Sequence, residues 1–306
     1  MRSDQVCLIC GNNTFEIYSY NNHNRNISLW LKALVGLFLY HISKTLKFSY
    51  YQRFIFAKPM SISRCKECKH GSLIDKITND DLNSYYLHKF WNTVGLVMPN
   101  ENIRAEGQYK YVNDYLKDDE LSVLEIGAGS AAMLILLKKN NQNAIVDVIE
   151  PGEQWTDHYQ KHNINRVSSF FPWESPILYD YIHTSHWLEH VVDLNSVIIS
   201  IKSILKKNSY IYIEVPNTNP EYWNVDIKDV PHINFFSIKS LQIVMSKHGF
   251  MPVKIGEYGY TNIEFFDSVV KGEKLSKFVI DDAEKSISKS LERKDGNIIR
   301  SLFKLI

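Results

Sequence analysis

The sequence predicts an α/β fold, in which a small cysteine-rich module precedes a mostly parallel, doubly wound sheet. From Leu121 onward, short apolar runs alternate with segments of helical periodicity, which is typical of parallel β–α–β units. Within the first unit, the stretch Leu121–Met133 passes from an apolar run through Gly127 and Gly129 into a second apolar run. This pattern predicts a buried strand, a tight turn and the start of a helix.

Length and charge narrow the class of protein. At 306 residues, the chain is long enough for one well-buried domain and a smaller module. The formal net charge is +1, so no chain-wide basic field indicates a nucleic-acid partner. The N-terminus is polar and lacks a signal-peptide core, and no apolar run reaches the roughly 18 residues of a membrane-spanning helix. We therefore expect a cytoplasmic protein.

The four cysteines form two Cys-x-x-Cys pairs, Cys7 with Cys10 and Cys65 with Cys68. Each pair, with a glycine after it, allows a tight turn that directs two thiolates at one ion, and two such turns complete a tetrahedron. The spacing therefore predicts structural zinc, although the two pairs lie much further apart than in a short zinc ribbon. The alternative is four reduced thiols, of which one pair is redox-active.

An apolar insertion separates the two cysteine pairs. Ser28–Lys47 has the periodicity of a helix with only one narrow polar stripe, so its wide apolar face requires a cover. The cover is the protein itself, a dimer mate in a homo-oligomer, or a membrane surface. The following stretch, Phe48–Phe56, is rich in aromatic residues and is predicted to line a substrate pocket.

Four segments are predicted along the chain. Residues 1–79 form a zinc-ribbon-like module with the apolar helical insertion at about 28–56. Residues 80–117 form a helical linker or cap, residues 118–260 the α/β domain, and residues 261–306 a mostly helical extension without a clear seventh strand.

Six strands and four helices are predicted within the α/β domain. The strands are Ser122–Ile126, Ala144–Ile149, Ile164–Ser168, Tyr179–Thr184, Tyr210–Val215 and Met251–Gly256. The helices are Ala131–Lys139, Glu153–His162, Leu194–Lys206 and Ser237–His248.

The glycine turn indicates a nucleotide-like cofactor. Gly127 allows a sharp turn, and Gly129 lacks a Cβ where a ligand approaches the backbone. Glu150, at the end of the second strand, lies at the distance where an acid binds ribose hydroxyls, in NAD and S-adenosylmethionine alike. Glu125 favours S-adenosylmethionine, because an acid there can reach a cationic amino-acid group, which NAD lacks.

Polar groups follow the later strands, in Asp180–His190, Val215–Asn217 and His232–Ser237. Together with the glycine turn, they resemble the class I S-adenosylmethionine-dependent methyltransferases that carry Leu-Glu-His after the fourth strand and His-x-x-Phe-Phe-Ser before a late helix. The resemblance covers about Leu121–Tyr258 and implies a Rossmann-like fold. The cysteine pairs are similar to the N-terminal zinc modules of some sugar and natural-product methyltransferases.

The resemblance also implies which residues contact the cofactor. These are Glu125, Gly127, Ala128, Gly129, Glu150, Ser169 and Phe170. Glu150 would bind the ribose, and Ser169 and Phe170 would flank the adenine. The sequence departs from the family pattern in two places: Ala131 replaces the third glycine, and serines replace the usual acid after the third strand.

Methyl transfer to a hydroxyl or an acidic carbon requires an aligned acceptor and removal of a proton. The candidate catalytic residues are His190, Glu189, His186 and His232. His190 is the candidate base, because its reference pKa suits neutral pH. Alternatively, the four residues hold a divalent cation, as in the similar sets of small-RNA 2′-O-methyltransferases and ubiquinone-pathway O-methyltransferases. A third interpretation gives Glu189 and His190 only structural roles.

The expected function is therefore methyl transfer to an oxygen, or a carbon, of a small molecule, sugar or glycoconjugate. The N-terminal module and the apolar insertion would cover this acceptor. The alternatives are a non-catalytic regulatory or interaction protein that binds S-adenosylmethionine, and an NAD-dependent oxidoreductase. An RNA methyltransferase is disfavoured by the near-zero net charge.

Overall fold

Two β-sheets organise the part of the chain that the computed structural model describes, namely residues 6–20, 60–74, 77–86, 101–118, 120–217, 232–258 and 298–306. The predicted apolar helix at 28–47 and the aromatic stretch at 48–56 lie outside these residues. Among the described helices, none combines the length and the hydropathy needed to cross a membrane.

The strands are numbered in chain order: β1 (Phe15–Tyr20), β2 (Met60–Cys65), β3 (Gly71–Leu73), β4 (Ser122–Ile126), β5 (Ile145–Ile149), β6 (Asn165–Ser168), β7 (Tyr179–Ser185), β8 (Leu205–Pro216), β9 (Asn234–Phe235), β10 (Phe250–Tyr258) and β11 (Ile298–Leu305). The helices are α1 (Asn79–Tyr85), α2 (Glu101–Val112), α3 (Ala132–Asn140), α4 (Thr156–Lys161), α5 (Leu194–Ile204) and α6 (Ile238–Lys247). Short 3₁₀ turns occupy Asn113–Tyr115, Glu153–Trp155 and Leu188–His190.

The larger sheet has seven strands in the order β10-β11-β8-β7-β4-β5-β6. Neighbouring strands from β6 to β8 are all parallel, and β11 alone runs antiparallel to both of its neighbours. The predicted Rossmann-like fold with a mostly parallel sheet is confirmed, and all six predicted strands are present.

The expectation of a mostly helical C-terminal extension without a seventh strand is wrong for the last residues. Ile298–Leu305 forms β11, which lies between β8 and β10. Because β11 is buried on both faces, it does not alternate between apolar and polar residues as a half-exposed strand would. The segment also contains two charged residues, Arg300 and Lys304. They made it resemble the charged, mostly helical extension that was predicted for residues 261–306.

Separate hydrophobic cores cover the two faces of the large sheet. Helices α2, α3 and α4 pack into one core, and α5 and α6 pack into the other. The side chains of β8 alternate between the two, since Tyr212 belongs to the first core and Ile211 and Ile213 belong to the second. The large sheet is therefore doubly wound, and the carboxyl ends of its parallel strands are left open for a site.

Helix α5 illustrates how the sequence encodes this packing. Asp193 caps its N-terminus by accepting a hydrogen bond from the backbone N–H of Ser196 at 3.1 Å. The buried side chains follow helical spacing, at Leu194, Val197, Ile198, Ile201 and Ile204. Each such burial contributes about 1.5–3 kcal/mol relative to exposure. The helix ends at Ile204, two residues earlier than predicted, because β8 begins immediately at Leu205.

The smaller sheet is antiparallel, with the order β1-β2-β3-β9. Its first three strands come from the cysteine-rich module, but β9 comes from the segment between β8 and α6. The sequence predicted only that this segment leads into a helix. A two-residue strand is too short to show a period of its own. Through β9, the module is hydrogen-bonded to the α/β domain.

Candidate functional site

The glycine turn between β4 and α3 adopts the left-handed backbone conformation at three positions. The φ angles are +74° at Gly127, +52° at Gly129 and +53° at Ala131. A Cβ on Gly127 would also lie 2.9 Å from Cδ1 of Trp187, so both backbone and space require glycine there. Ala131, which replaces the third glycine, thus adopts a conformation that favours glycine.

Glu150 faces this turn from the end of β5. Its carboxylate is buried and accepts hydrogen bonds from the backbone N–H groups of Gly129, at 2.9 Å, and Gly152, at 2.7 Å. Helix α3 begins beside it without a side-chain cap, because Ala131 has no polar atom to offer. A buried acid and an uncapped helix start therefore meet at one crevice, where open α/β sheets bind ligands.

Glu125, the predicted contact for a cationic cofactor group, is buried at the end of β4. Its Oε1 lies 3.7 Å from Nε2 of His183 on the neighbouring strand. Burial lowers the pKa of His183 to about 3, so this imidazole is neutral. His183 stacks on Tyr212 with ring centroids 4.5 Å apart, within the sheet core rather than in the crevice.

Ser169 and Phe170, the residues predicted to flank adenine, follow β6. Ser169 Oγ accepts a hydrogen bond from Arg166 Nη2 at 2.8 Å, and Arg166 Nε donates to the backbone oxygen of Glu150 at 2.7 Å. Arg166 thus ties the predicted adenine segment to the strand end that carries the predicted ribose ligand.

The four predicted catalytic residues come together just beyond the end of β7. His186 Nδ1 lies 3.3 Å from Glu189 Oε1, and His190 Nε2 lies 3.7 Å from the same oxygen. Potential ligand atoms of Glu189, His190 and His232 all lie within 4.8 Å of one another. The rings of His190 and His232 are 4.9 Å apart. We refer to His186, Glu189, His190 and His232 as the acid–histidine cluster.

Glu189 is the unusual member of the cluster, since its carboxylate is 1% exposed. Within the described part of the chain, neither of its oxygens accepts a hydrogen bond. Burial alone would raise the pKa of Glu189, but the imidazoles of His186, His190 and His232 lower it to about 2. Burial and the neighbouring His190 lower the pKa of His232 to about 3. At neutral pH the cluster therefore presents a carboxylate and a neutral imidazole, which can accept a proton or bind a cation.

The four cysteines converge in the smaller sheet. Cys7 Sγ lies 3.6 Å from Cys68 Sγ, and Cys10 Sγ lies 3.5 Å from Cys65 Sγ, so each close pair joins the two halves of the module. All four sulfurs lie within 4.8 Å of one another. A zinc–sulfur bond of about 2.3 Å implies sulfur–sulfur separations of about 3.8 Å in a tetrahedron, whereas a disulfide requires about 2.05 Å. The donor set and its geometry therefore fit a tetrahedral thiolate metal site.

Equivalent turns hold the two cysteine pairs. Gly11 N donates to Cys7 O at 2.8 Å, and Lys69 N donates to Cys65 O at 3.0 Å. Both residues are left-handed, with φ of +79° at Gly11 and +62° at Lys69. The second turn therefore does not use Gly71, the glycine that the sequence suggested. Lys69 occupies the left-handed position of this turn instead. Gly71 instead lets β3 approach β9, since a Cβ there would lie 2.9 Å from Phe235 Cβ.

A buried charge network that the sequence did not predict surrounds Glu214, near the carboxyl end of β8. Glu214 is fully buried and accepts hydrogen bonds through both carboxylate oxygens. The donors are Arg104 Nε at 2.8 Å, Gln108 Nε2 at 3.1 Å, Ser185 Oγ at 2.9 Å, Tyr212 OH at 2.8 Å and Arg300 Nε at 2.6 Å. Burial alone would raise the pKa of Glu214, but Arg104 and Arg300 hold it well below its usual value.

The network depends on residues brought together by the fold. Arg300 and Ser185 are the cross-strand neighbours of Glu214 on β11 and β7, and Arg104 and Gln108 lie one turn apart on α2. His186 Nε2 lies 3.7 Å from Glu214 Oε1, so His186 connects this network to the acid–histidine cluster. One sequence signal existed: Glu214 is the lone charged residue within the predicted strand Tyr210–Val215.

A family model described as a methyltransferase domain matches residues 102–255. No curated protein matches the sequence.

Among solved structures, an S-adenosylmethionine-dependent methyltransferase from Thermotoga maritima is similar, with 17% identity, coverage of 67% of this chain and 90% of that one, and a TM-score of 0.47. A second, from Archaeoglobus fulgidus, has 21% identity, coverage of 67% and 97%, and a TM-score of 0.46. Coclaurine N-methyltransferase, solved with N-methylheliamine and S-adenosylhomocysteine, has 12% identity, coverage of 66% and 72%, and a TM-score of 0.48. These likenesses are too distant to indicate a substrate.

Proposed function

Because this chain belongs to the methyltransferase domain family, we propose that it transfers a methyl group from S-adenosylmethionine to an oxygen, or a carbon, of a small molecule, sugar or glycoconjugate in the cytoplasm. The observation that best supports the proposal is the buried carboxylate of Glu150, which faces the glycine turn at the end of β5. Its lone pairs suit the hydroxyls of a ribose, and Gly127 and Gly129 leave room for a ligand close to the backbone.

Each group has a role in this proposal. Glu125 would attract the cationic amino group of the methionine portion, Glu150 would bind the ribose, and Ser169 and Phe170 would flank the adenine. S-adenosylmethionine supplies an electrophilic sulfonium methyl when bound. The chain's own part in the chemistry is to orient the acceptor, exclude water and remove its proton.

The acid–histidine cluster is the proposed source of the base. His190 and His232 lie beside Glu189, which would hold an imidazole in place and stabilise its protonated form. The side chain of His186 is 35% exposed, whereas that of His190 is 10% exposed, so His186 is the more accessible of these two to an acceptor. The net effect of this arrangement would be removal of the acceptor's proton by an imidazole of the cluster.

A divalent cation is a second role that one observation favours. The buried carboxylate of Glu189 accepts no hydrogen bond from described residues, and three imidazoles surround it. Carboxylate and imidazole are common ligands of divalent transition metals. Glu189, His190 and His232, with His186, would then hold the ion, which would lower the pKa of an acceptor hydroxyl.

Calorimetry with S-adenosylhomocysteine and with NAD tests the cofactor. We expect binding of S-adenosylhomocysteine, and a loss of affinity of about 10- to 150-fold for Glu150→Ala, because hydrogen bonds to a charged group contribute about 1.5–3 kcal/mol each. Glu153→Gln, an exposed acid three residues later, is the matched control and should bind normally. If the protein bound NAD and not S-adenosylhomocysteine, the assignment of S-adenosylmethionine as its cofactor would be wrong. Cofactor binding without turnover on any acceptor would favour a regulatory protein.

The four cysteines are proposed to hold structural zinc. We expect about one zinc per chain in purified protein, and a loss of that zinc in Cys10→Ser, because a thiolate is the stronger ligand. Elemental analysis of both proteins measures this directly. Well under one zinc per chain in the wild type would favour free or redox-active thiols instead.

A further inference from the structure

The segment 232–237 lies between the cysteine-rich module and the acid–histidine cluster. On one side, β9 pairs with β3, and Leu73 N donates to Ile233 O at 2.9 Å. On the other side, Ile233 N donates to Glu189 O at 2.8 Å. The same short segment is therefore hydrogen-bonded to both the module and the turn that carries Glu189.

Side chains strengthen both attachments. Asn234 Nδ2 donates to Val191 O at 2.6 Å, which joins the segment to the end of the Glu189 turn. Ser237 Oγ donates to Cys68 O at 2.7 Å, so the last residue of the segment contacts a cysteine of the second pair directly. The buried ring of His70 lies 5.3 Å from that of Phe236. These contacts fix the segment from Ile233 to Ser237, which directly follows His232.

The contact between β3 and β9 is close-packed. A Cβ on Gly71 would lie 2.9 Å from Phe235 Cβ and 3.1 Å from Ile62 Cγ2, so the two strands meet through a glycine. Cys65 ends β2, which pairs with β3, and Cys68 lies between β2 and β3. An ion held by the cysteines would fix the hairpin on which β9 depends.

We propose that the four-cysteine module is a positioning device for the acid–histidine cluster: with zinc bound, it holds residues 232–237 in the place that brings His232 beside Glu189 and His190. The inference rests on the function proposed above, in which His232 belongs to the acceptor side of the site. It extends that function, because zinc then supports the geometry of catalysis without touching the reacting groups. Loss of zinc would impair methyl transfer and leave cofactor affinity intact.

Hydrogen exchange measured by mass spectrometry on the full chain tests this coupling. Gly71→Val should separate β3 from β9 while all four cysteines are retained. Cys10→Ser should release zinc by removing one ligand from the first cysteine pair, which is the more distant pair in sequence from residues 232–237. In both variants we expect amide exchange in 233–235 to accelerate at least about tenfold, as for a locally opened segment. Exchange in β5 and affinity for S-adenosylhomocysteine should change by less than about twofold, since the cofactor crevice is built separately.

Glu67→Gln is the matched control. Glu67 pairs with Lys239 of α6 across the same interface, but both side chains are exposed, so exchange in 233–235 should remain at the wild-type rate. Unchanged exchange in both Gly71→Val and zinc-free Cys10→Ser would overturn the proposal.

If both variants unfold throughout, wild-type protein is stripped of zinc with a chelator and restored with Zn²⁺ alone. Protection of 233–235 must then fall and recover with zinc, and constant protection would again overturn the proposal. Failure to bind S-adenosylhomocysteine would count against the proposed function instead.

Discussion

Glu214→Gln should lower the free energy of unfolding by about 3–5 kcal/mol, because it leaves two arginines in a buried network without a carboxylate. Glu214 is fully buried, and the side chains of Arg104 and Arg300 are 29% and 7% exposed. Removing one partner of such a network costs more than the pair contributes, since the remaining charges stay desolvated. Urea unfolding followed by circular dichroism measures the loss as a lower midpoint.

Two further variants distinguish the stability lost with the Glu214 network from the stability lost on any substitution of a charged or polar residue. Lys206→Met breaks the ion pair between Lys206 and Asp180, of which the lysine is 45% exposed, and should cost about 1 kcal/mol or less. Tyr212→Phe removes one hydrogen bond to Glu214 and should fall between these values, at about 1.5–3 kcal/mol. A Glu214→Gln protein as stable as Lys206→Met would show that the arginines do not depend on Glu214.

Acid pH provides an independent check on Glu214. The pKa of this carboxylate in the folded protein is held well below its ordinary value of 4.5. The unfolded chain therefore takes up the proton first, and the stability that Glu214 contributes is present above about pH 4.5 and is lost as pH falls below it. The stability difference between wild type and Glu214→Gln should narrow below that pH, by up to about 1.4 kcal/mol per pH unit. A constant difference from pH 6 to pH 3 would contradict this assignment.

The elements that were predictable from sequence are those encoded by local patterns. The apolar runs that became β4, β5, β7 and β8 and the glycine turn after β4 follow from residues that are adjacent in the chain. The convergence of Glu189, His190 and His232 followed from one further rule, that the carboxyl ends of parallel strands meet at one edge of a sheet.

What could not be predicted depends on contacts between distant segments. Strand β11 is stabilised by its neighbours on both sides, so its own sequence, with Arg300 and Lys304, did not distinguish it from a solvated helix. The network around Glu214 needs α2, β7, β8 and β11 together. In the second cysteine turn, Lys69 adopts a conformation that usually indicates glycine, because the surrounding hydrogen bonds fix the backbone.

Glu189 and Glu214 are both buried glutamates, yet the structure indicates different consequences for their substitution. The carboxylate of Glu214 accepts hydrogen bonds from five donors, whereas the carboxylate of Glu189 accepts none from the described residues and has only imidazoles beside it. The Glu189 carboxylate therefore depends on the adjacent imidazoles, rather than on hydrogen-bond donors, to offset its burial. Such a group is retained at sites where function requires it.

Glu189→Gln should therefore lower the thermal midpoint by less than Glu214→Gln does, and should lower kcat for methyl transfer by about 10²–10⁴-fold, the range for loss of an acid–base group. Affinity for S-adenosylhomocysteine should stay within about threefold, since Glu150 and the glycine turn are intact. The assay uses labelled S-adenosylmethionine and the acceptor that a panel of hydroxylated small molecules and sugars identifies. His248→Asn, outside the cluster and in contact with Asn195, is the matched control and should retain wild-type kcat. EDTA treatment, with Mg²⁺, Mn²⁺ or Zn²⁺ added back and the zinc content of the four-cysteine module followed by elemental analysis, separates the two roles. Activity that survives EDTA identifies the cluster as a base. Activity that is lost and then restored by one ion while the module keeps its zinc identifies the cluster as a cation site. A Glu189→Gln protein that is destabilised but fully active would make the cluster structural, and the base would then have to come from another group.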